Sequence, residues 1–157
     1  MGADPQPHRL HPEEQRDWDA LACLLTRLPA AFDAQLQRDA SMSHFDYTVL
    51  ATLSAAPSGA LRLSRIARRT GSALSRLSNV VIKLEKRGLV RRSPDPVDGR
   101  STLAALTEAG RDALAAGAPA HVAEVRRLVF DPLTGTQQRQ LRAISARILR
   151  ALDPEQS

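Results

Sequence analysis

The segment from Ser72 to Asn79 combines side chains that can read the edges of DNA bases. Arg76 can donate two hydrogen bonds to a guanine, and Asn79 can bond the edge of an adenine. The hydroxyls of Ser72, Ser75 and Ser78 suit phosphates or either type of base. This side of the predicted helix has no large apolar side chain, so it is small enough for a major groove ~12 Å wide.

The positive charge of the chain is concentrated around this segment. Between Arg62 and Arg100 lie eleven of the 22 lysines and arginines, but only three acids. This window therefore carries +8, and the rest of the chain carries −3. So dense a basic segment favours a polyanionic partner, although its arginines alone are also compatible with an ordinary solvated helix face.

Two helices and a turn must position these side chains. Residues 63–69 predict a short helix that Ser64 could cap, followed by a turn at Thr70-Gly71. The second helix, over 72–87, buries an apolar stripe at spacings of three and four. The stripe consists of Leu74, Leu77, Val81 and Leu84. Gly88 suits the left-handed position that commonly ends a helix. The two helices and the turn between them have the form of a helix-turn-helix unit.

Two short strands, over 89–92 and 101–106, are predicted directly after the second helix. The Pro-, Asp- and Gly-rich stretch 93–100 supplies the turn between them. A hairpin of this size has little stability of its own, so it must pack on the helices. Its arginines would then lie near phosphates or a minor groove. They are Arg91, Arg92 and Arg100.

Two helices are expected before this block. The first covers 12–39 and should be kinked at Pro29, because a proline inside a helix removes one backbone hydrogen bond. The second covers 43–55 and begins with a capping box between Ser43 and Asp46.

Two more helices are expected after the hairpin. Thr107 caps a long helix that reaches about Phe130 and is interrupted near Gly117 and Pro119. A capping box of Thr134 and Gln137 starts a last helix, which ends near residue 152.

The composition favours a single mainly helical domain and excludes several classes of protein. Aromatic residues make up only 3%, which predicts an aliphatic core. The single cysteine excludes an internal disulfide framework and suits a reducing cytoplasm. No apolar run approaches the ~20 residues of a membrane span, and the N-terminus lacks the apolar stretch of a secretory signal. We therefore expect a cytoplasmic protein.

Nothing in the sequence predicts an enzyme, a cofactor or a metal site. There is no nucleophile–base pair and no glycine-rich phosphate loop, and the four histidines lack metal-ligand spacing. His121 and Glu124 share a helix face, which we interpret as a solvated pair.

The order of motifs in the basic block resembles the MarR family of transcriptional regulators. The motifs are LEKRGLVRR over 84–92, PDPVDGR over 94–100 and LTEAG over 106–110. The resemblance extends over about residues 13–152. It implies six helices with a two-stranded wing, a homodimer, and double-stranded DNA as the partner.

The resemblance also implies roles for individual positions. The helix over 72–87 becomes the recognition helix, Arg100 the wing-tip arginine in the minor groove, and Asp98 the residue that holds this arginine. The DNA-contacting set comprises Arg62, Ser64, Ser72, Ala73, Ser75, Arg76, Ser78, Asn79, Lys83, Arg91, Arg92, Asp98 and Arg100. Members of the family often have Ser or Thr as helix cap where this chain has Ala73, so the cap here would be Ser72 or Thr70.

Family members often bind small aromatic or anionic ligands between the dimer helices and the DNA-binding lobe. The candidate lining here is Trp18, Phe45, Tyr47 and Arg65, although Trp18 also suits the core or a dimer interface. One branch of the family senses peroxides through a cysteine on the first helix, where Cys23 lies. The tyrosine partners of that branch are missing, and the apolar neighbours of Cys23 predict burial.

We therefore expect a mainly α-helical, winged helix-turn-helix regulator of transcription. It would bind a palindromic operator as a homodimer and act as a repressor that a small molecule relieves. The alternatives are redox sensing through Cys23, or a winged-helix module for protein contacts, which would not need the +8 window. The expected parts are an arm (1–11), dimerisation helices (12–39 and 107–152), a DNA-binding region (43–106) and a tail (153–157).

Overall fold

A computed structural model describes residues 9–152 of the chain. The predicted tail and most of the predicted N-terminal arm lie outside the described residues. The described part is mainly helical, as expected. Its helices are α1 (Pro12–Ala40), α2 (His44–Ser54), α3 (Leu63–Thr70), α4 (Leu74–Lys86), α5 (Glu108–Val125) and α6 (Gly135–Leu152), with a π-helical segment (Arg126–Phe130) after α5. Its strands are β1 (Ala60–Arg62), β2 (Val90–Pro94) and β3 (Thr102–Leu106).

Three predicted helix starts are confirmed by their capping hydrogen bonds. At α2, the Asp46 N–H donates to Ser43 Oγ and the Ser43 N–H donates to Asp46 Oδ2, both at 3.0 Å. At α5, Thr107 Oγ1 accepts at 3.0 Å from the N–H of the third helical residue. Thr134 and Gln137 form the reciprocal pair before α6. Each bond satisfies a backbone donor that the first helical turn leaves unpaired.

The start of α4 differs from the prediction. The helix begins at Leu74 after an extended Ala73, and no side chain caps it. The predicted caps, Thr70 and Ser72, instead hydrogen-bond each other at 3.0 Å, and Thr70 Oγ1 also donates to the Ile66 carbonyl. Both cap predictions are wrong because the preceding turn already uses these hydroxyls. The first N–H groups of α4 therefore have no side-chain acceptor at the cap position.

A third strand, which the sequence pattern does not predict, lies before α3. β1 pairs with β3 in a sheet of order β1-β3-β2, so the sheet is three-stranded rather than two-stranded. Three residues are too few to display the alternation that marks a strand. β1 makes Arg62 the N-cap of α3, so Ser64 lies inside the helix and its predicted capping role is wrong.

The predicted hairpin is confirmed, with ends shifted by one or two residues. Val90 pairs with Leu106 and Pro94 with Thr102 across β2 and β3. Before it, Gly88 has the predicted left-handed conformation (φ +74°), and the Leu89 N–H closes the end of α4 on a carbonyl of its last turn at 3.0 Å. The hairpin thus leaves α4 at a defined angle.

An aliphatic core joins the helix-turn-helix unit to the wing. Its fully buried side chains come from α1, α2, α3 and α4, as the apolar stripes predict. They include Leu36, Val49, Leu50, Leu53, Ile66, Leu77, Val81 and Leu84. Within α4, Leu74 departs from this pattern, since 52% of it is exposed although the stripe assigned it to the core.

The predicted break in α5 near Gly117 and Pro119 is wrong, because the helix runs through both residues. Gly117 is buried, and a Cβ there would lie 3.4 Å from the Ala40 Cβ. α5 therefore passes the end of α1 at about the distance of an ordinary van der Waals contact for a Cβ. α1 likewise continues through Pro29. Each proline removes one backbone hydrogen bond from its helix, but neither ends it.

A cluster of four rings connects α1, α2 and α5. Tyr47 of α2 lies 4.5 Å from His121 of α5, and His44 of α2 lies 5.9 Å from His121, measured between ring centroids. Phe32 of α1 is 5.3 Å from both histidines. His121 Nδ1 also lies 3.2 Å from the buried Gln35 amide oxygen. His121 is therefore a packed residue, and its interpretation as a solvated partner of Glu124 is wrong.

Gly110 lies where α5 passes closest to the wing. A Cβ at this position would stand 2.0 Å from the Leu89 carbonyl oxygen, far inside van der Waals contact. We predict that Gly110→Ala lowers the free energy of unfolding by about 1–3 kcal/mol, measured by urea denaturation. Gly99→Ala is the control, because a Cβ there meets nothing within 4 Å. Equal stability of the two variants would contradict the close approach.

The ring cluster predicts that acid destabilises the fold. Burial lowers the pKa of His44, against the attraction of Asp33, and burial together with the neighbouring His44 lowers the pKa of His121. The unfolded chain then binds protons more readily, so this stability is complete above about pH 6.5 and is lost as the pH falls below it. We expect the Tm to drop between pH 7.5 and pH 5.

A matched pair of histidine variants tests whether the ring cluster causes this loss of stability in acid. His121→Gln should flatten the dependence of Tm on pH, because it removes one of the two partly buried bases. His11→Asn, a change at an exposed histidine before α1, should leave the dependence as it is. The same slope in all three proteins would refute the assignment.

Candidate nucleic-acid interface

The outward side of α4 is polar, as the sequence predicts. Ser75, Arg76 and Asn79 are exposed, while Ser72 and Ser78 are partly buried at its edge. The helical period separates these side chains from the buried leucines and valine of the same helix. Together with the uncapped first turn, they form a surface of hydrogen-bonding groups that also includes the half-exposed Leu74.

The start of α3, the outer side of α4 and the tip of the wing meet at one recess. Its volume is about 230 Å³. The lining consists of Arg62, Leu63, Ser64, Leu74, Ser78, Arg100, Ser101 and Thr102. Four of these, Arg62, Ser64, Ser78 and Arg100, belong to the predicted DNA-contacting set. The fold thus brings together residues that the sequence distributes over three elements.

Phe45 supports the arginine of the outer face of α4. The Arg76 guanidinium carbon lies 4.6 Å from the centroid of the Phe45 ring, which is a cation–π contact. Stacking restricts a flexible side chain before it meets a partner and so reduces the entropy that binding would cost. Phe45 was assigned to an effector site from the sequence, and this second role went unrecognised.

Asp98 holds the backbone of the wing turn rather than the Arg100 guanidinium. Its carboxylate accepts from the Arg100 N–H at 3.2 Å and from Ser101 Oγ at 2.8 Å. Asp98 thus contacts Arg100 through its backbone, and its role in DNA binding stays a prediction. Among the ion pairs of residues 9–152, none involves Arg100. Its exposed guanidinium is thus available to an anion.

Lys83 has a carboxylate partner within the fold. Its Nζ lies 3.0 Å from Oδ2 of Asp46, and Arg87 Nη1 lies 3.9 Å from the same atom. Only 1% of the Asp46 side chain is exposed, so this carboxylate requires cations beside it. The end of α4 is thereby tied to the first turn of α2. Lys83 remains 56% exposed and keeps donors for a second partner.

Arg92 is also paired. Glu85 accepts from the Arg92 backbone N–H at 3.0 Å and from its Nε at 2.7 Å. These two bonds, with the backbone bond foremost, lower the pKa of the Glu85 carboxyl. The pair joins α4 to β2, so Arg92 serves the scaffold as well as the surface. Its neighbour Arg91 is exposed.

Asp95 is a carboxylate beside this surface that is not in the predicted DNA-contacting set. It is only 6% exposed, and it binds Arg62 through a side-chain hydrogen bond and ion pair. The Val97 N–H, then Arg62, lower the pKa of its carboxyl. The sequence signal was the PDP motif, which marked the turn but gave its aspartate no role.

The four candidate effector residues fall into different surroundings. Tyr47 belongs to the ring cluster, while Phe45 lies beneath Arg76. Trp18, on the first turns of α1, is 51% exposed, and Arg65 is exposed on α3. Phe45 and Tyr47 thus connect α2 to the outer face of α4 on one side and to α5 on the other.

Cys23 is exposed, so its predicted burial is wrong. It lines an apolar groove of about 380 Å³ between α1 and Leu128 of the π-helical segment. The apolar neighbours that suggested burial are themselves exposed, Leu24 by 50% and Leu25 by 61%. Apolar side chains around a residue predict its burial only if another element covers them. No element within residues 9–152 covers Cys23.

Within residues 9–152, no helix has both the length and the apolarity needed to cross a membrane. The same residues contain no group of three or more His, Cys, Asp and Glu side chains that could hold a metal ion.

Comparison with known proteins points to one family. Residues 42–102 match the model of the MarR family. The chain is similar to Sco3205, a MarR family transcriptional regulator from Streptomyces coelicolor solved in complex with DNA. The two share 40% identity over 96% of this chain and 95% of that chain, with a TM-score of 0.91. No curated protein matches significantly.

Two further structures are similar to this chain. AbsC, a MarR family transcriptional regulator from Streptomyces coelicolor, is 30% identical over 95% of this chain and 100% of that chain, with a TM-score of 0.88. CouR from Rhodococcus jostii RHA1, solved with p-coumaroyl-CoA, is 28% identical over 83% of this chain and 92% of that chain, with a TM-score of 0.70.

Proposed function

The chain belongs to the MarR family of transcriptional regulators, and on that premise we propose that it represses transcription as a homodimer bound to a palindromic operator. One observation carries the proposal: the outer face of α4, the start of α3 and the wing tip border the same recess. A helix-turn-helix presents its second helix to the major groove, and a wing arginine on the same side can then enter the adjacent minor groove.

Base reading is assigned to the exposed face of α4. Arg76 suits a guanine and Asn79 an adenine, while Ser72, Ser75 and Ser78 suit phosphates or base edges. The uncapped first turn at Ala73 offers backbone N–H groups, which bind phosphate well at a helix N-terminus. Arg76 is the sharpest candidate, because Phe45 already restricts its guanidinium.

The remaining basic residues contribute affinity more than sequence choice. Contacts to phosphates position a protein on DNA without reading its sequence. Arg91 and Ser64 are exposed beside this surface, and Lys83 keeps an exposed ammonium next to Asp46. Because the segment from residue 62 to residue 100 carries +8, binding should weaken steeply as salt rises.

The homodimer is supported by the exposure of α6. No residue of this helix is buried by its own chain. Its apolar stripe is largely exposed, with Ile144 at 56%, Ile148 at 44% and Leu152 at 70%. An isolated helix of this length is marginal in water, so α6 needs a covering surface. Trp18, Leu24 and Leu25 expose a second apolar surface on α1, and a second copy offers both surfaces at once.

The proposed effector acts through α2. Tyr47 packs on His121 of a proposed dimerisation helix, and Phe45 packs beneath Arg76 of the proposed reading helix. A small aromatic or anionic ligand that displaces either ring would alter how the two parts meet, and so release the operator. Trp18 and Arg65, which lie in other surroundings, are not part of this proposed lining. The complex of CouR with p-coumaroyl-CoA suggests aromatic acids and their thioesters as the first compounds to screen, by thermal shift and by operator release.

Arg100→Ala tests the DNA-binding surface. Losing a wing arginine should weaken operator binding by about 1–3 kcal/mol and reduce the slope of log K against log salt by about one. Fluorescence anisotropy at ~100 mM salt, a regime of strong salt dependence, measures both. Arg142→Ala on α6 removes the same charge elsewhere and is the control. Unchanged affinity of Arg100→Ala, with the dimer intact, would rule out the wing contact.

Ile148→Glu tests the dimer. A charge in the apolar stripe of α6 should convert the dimer to monomers, which multi-angle light scattering detects, because burying an unpaired carboxylate is costly. Arg150→Glu is the matched control, since residues two positions apart lie on nearly opposite sides of a helix. A dimer that survives Ile148→Glu as well as Arg150→Glu would exclude α6 from the interface.

A further inference from the structure

We propose that Asp95 is a positioning residue for DNA binding, which fixes the wing tip against the start of α3 so that Arg100 and α4 meet DNA in one register. The inference rests on the proposed DNA-binding function and adds to it a residue with no predicted contact to DNA. Asp95 acts through Arg62 and through the turn that carries Arg100.

The Asp95 carboxylate joins two separate parts of the interface. One oxygen accepts from the Val97 N–H at 2.8 Å and from the Asp98 N–H at 3.4 Å, which shapes the turn. The other oxygen accepts from Arg62 Nε at the junction of β1 and α3. The Asp95 N–H donates to the Ser101 carbonyl at 2.9 Å and closes the base of the turn. One buried side chain thus sets both the shape of the wing tip and its attachment.

The distribution of charge supports the same role. Arg62 and Arg100 both line the recess, where two unpaired guanidinium groups would repel each other. Asp95 neutralises Arg62, whose side chain is 43% exposed against 6% for Asp95. Arg100 has no ion pair among residues 9–152. The arrangement assigns one arginine to the scaffold and leaves the other for DNA.

A competing interpretation predicts that removing the Asp95 carboxylate changes operator affinity in the opposite direction. If Arg62 contacts DNA directly, as the sequence analysis supposed, then Asp95 only screens it. Removing the carboxylate would free Arg62 and take a negative charge from a surface that faces a polyanion. Binding would then become tighter. The positioning role predicts weaker binding despite the more favourable charge, so the direction of the change separates the two interpretations.

Asp95→Asn is the decisive variant. The amide oxygen can still accept from the Val97 and Asp98 N–H groups, but its NH₂ group cannot accept from Arg62. We expect operator affinity to fall about tenfold, less than for a fully buried charge pair because the Arg62 side chain is 43% exposed. Asp112→Asn, at an exposed position on α5, is the control for charge and should not weaken binding. Asp95→Glu keeps the charge but lengthens the link, and should also weaken binding.

A double-variant cycle distinguishes positioning from general stability. If Asp95 acts through Arg100, then Asp95→Asn should cost little further affinity in an Arg100→Ala background, and the salt slope should fall by about one in either single variant. Circular dichroism confirms that the variants are folded.

The outcomes that would overturn the inference are distinct from those that would overturn the proposed function. Unchanged or tighter binding by both Asp95→Asn and Asp95→Glu would refute the positioning role. So would additive losses in the cycle. By contrast, wild-type protein that binds no operator DNA at all would refute the proposed function itself.

Discussion

The position of the wing depends on carboxylates held within a strongly basic segment. Each of the three acids between Arg62 and Arg100 has a structural partner there: Glu85 binds Arg92, Asp95 binds Arg62, and Asp98 binds the backbone of the turn. A hairpin of this size is weak on its own, so these contacts fix its angle to α4. Pairing some arginines with the scaffold leaves Arg76 and Arg100 facing outward.

Two regions of the chain differ in whether their apolar side chains are buried within one copy. The helix-turn-helix unit buries its aliphatic stripes internally and is complete within one copy. The first half of α1 and the whole of α6 have apolar residues that the described part of the chain, residues 9–152, leaves exposed. A dimer through these helices would place two basic faces at a fixed spacing. The ring cluster of Phe32, His44, Tyr47 and His121 connects the two regions, so it is a physically reasonable place for a signal to pass.

Much of the helical architecture could be predicted, because periodicity and capping are local. The Ser43–Asp46, Thr107 and Thr134–Gln137 starts and the Gly88 end depend on neighbours within a few residues. The failures involve distant partners. β1 is defined by its pairing with β3, and α5, which runs through Pro119, packs along α1.

At the candidate site, too, features set by neighbouring residues could be predicted, while contacts between residues distant in sequence could not. Residue types and helix period identified the polar face of α4, and a motif identified the wing. Neither could reveal that Arg62 binds Asp95, 33 positions away, or that Phe45 lies under Arg76. Burial of Cys23 was wrong for a related reason, since local apolarity cannot show whether another element covers it.

Selection of DNA from a random pool by the full-length protein tests the central claim most directly. If two copies each present α4 and a wing, the enriched sequence should be an inverted repeat with half-site centres about one helical turn, ~10 bp, or a multiple of it apart. Enrichment of a single unrepeated half-site would contradict the dimer. The absence of any enriched sequence would contradict base reading by α4.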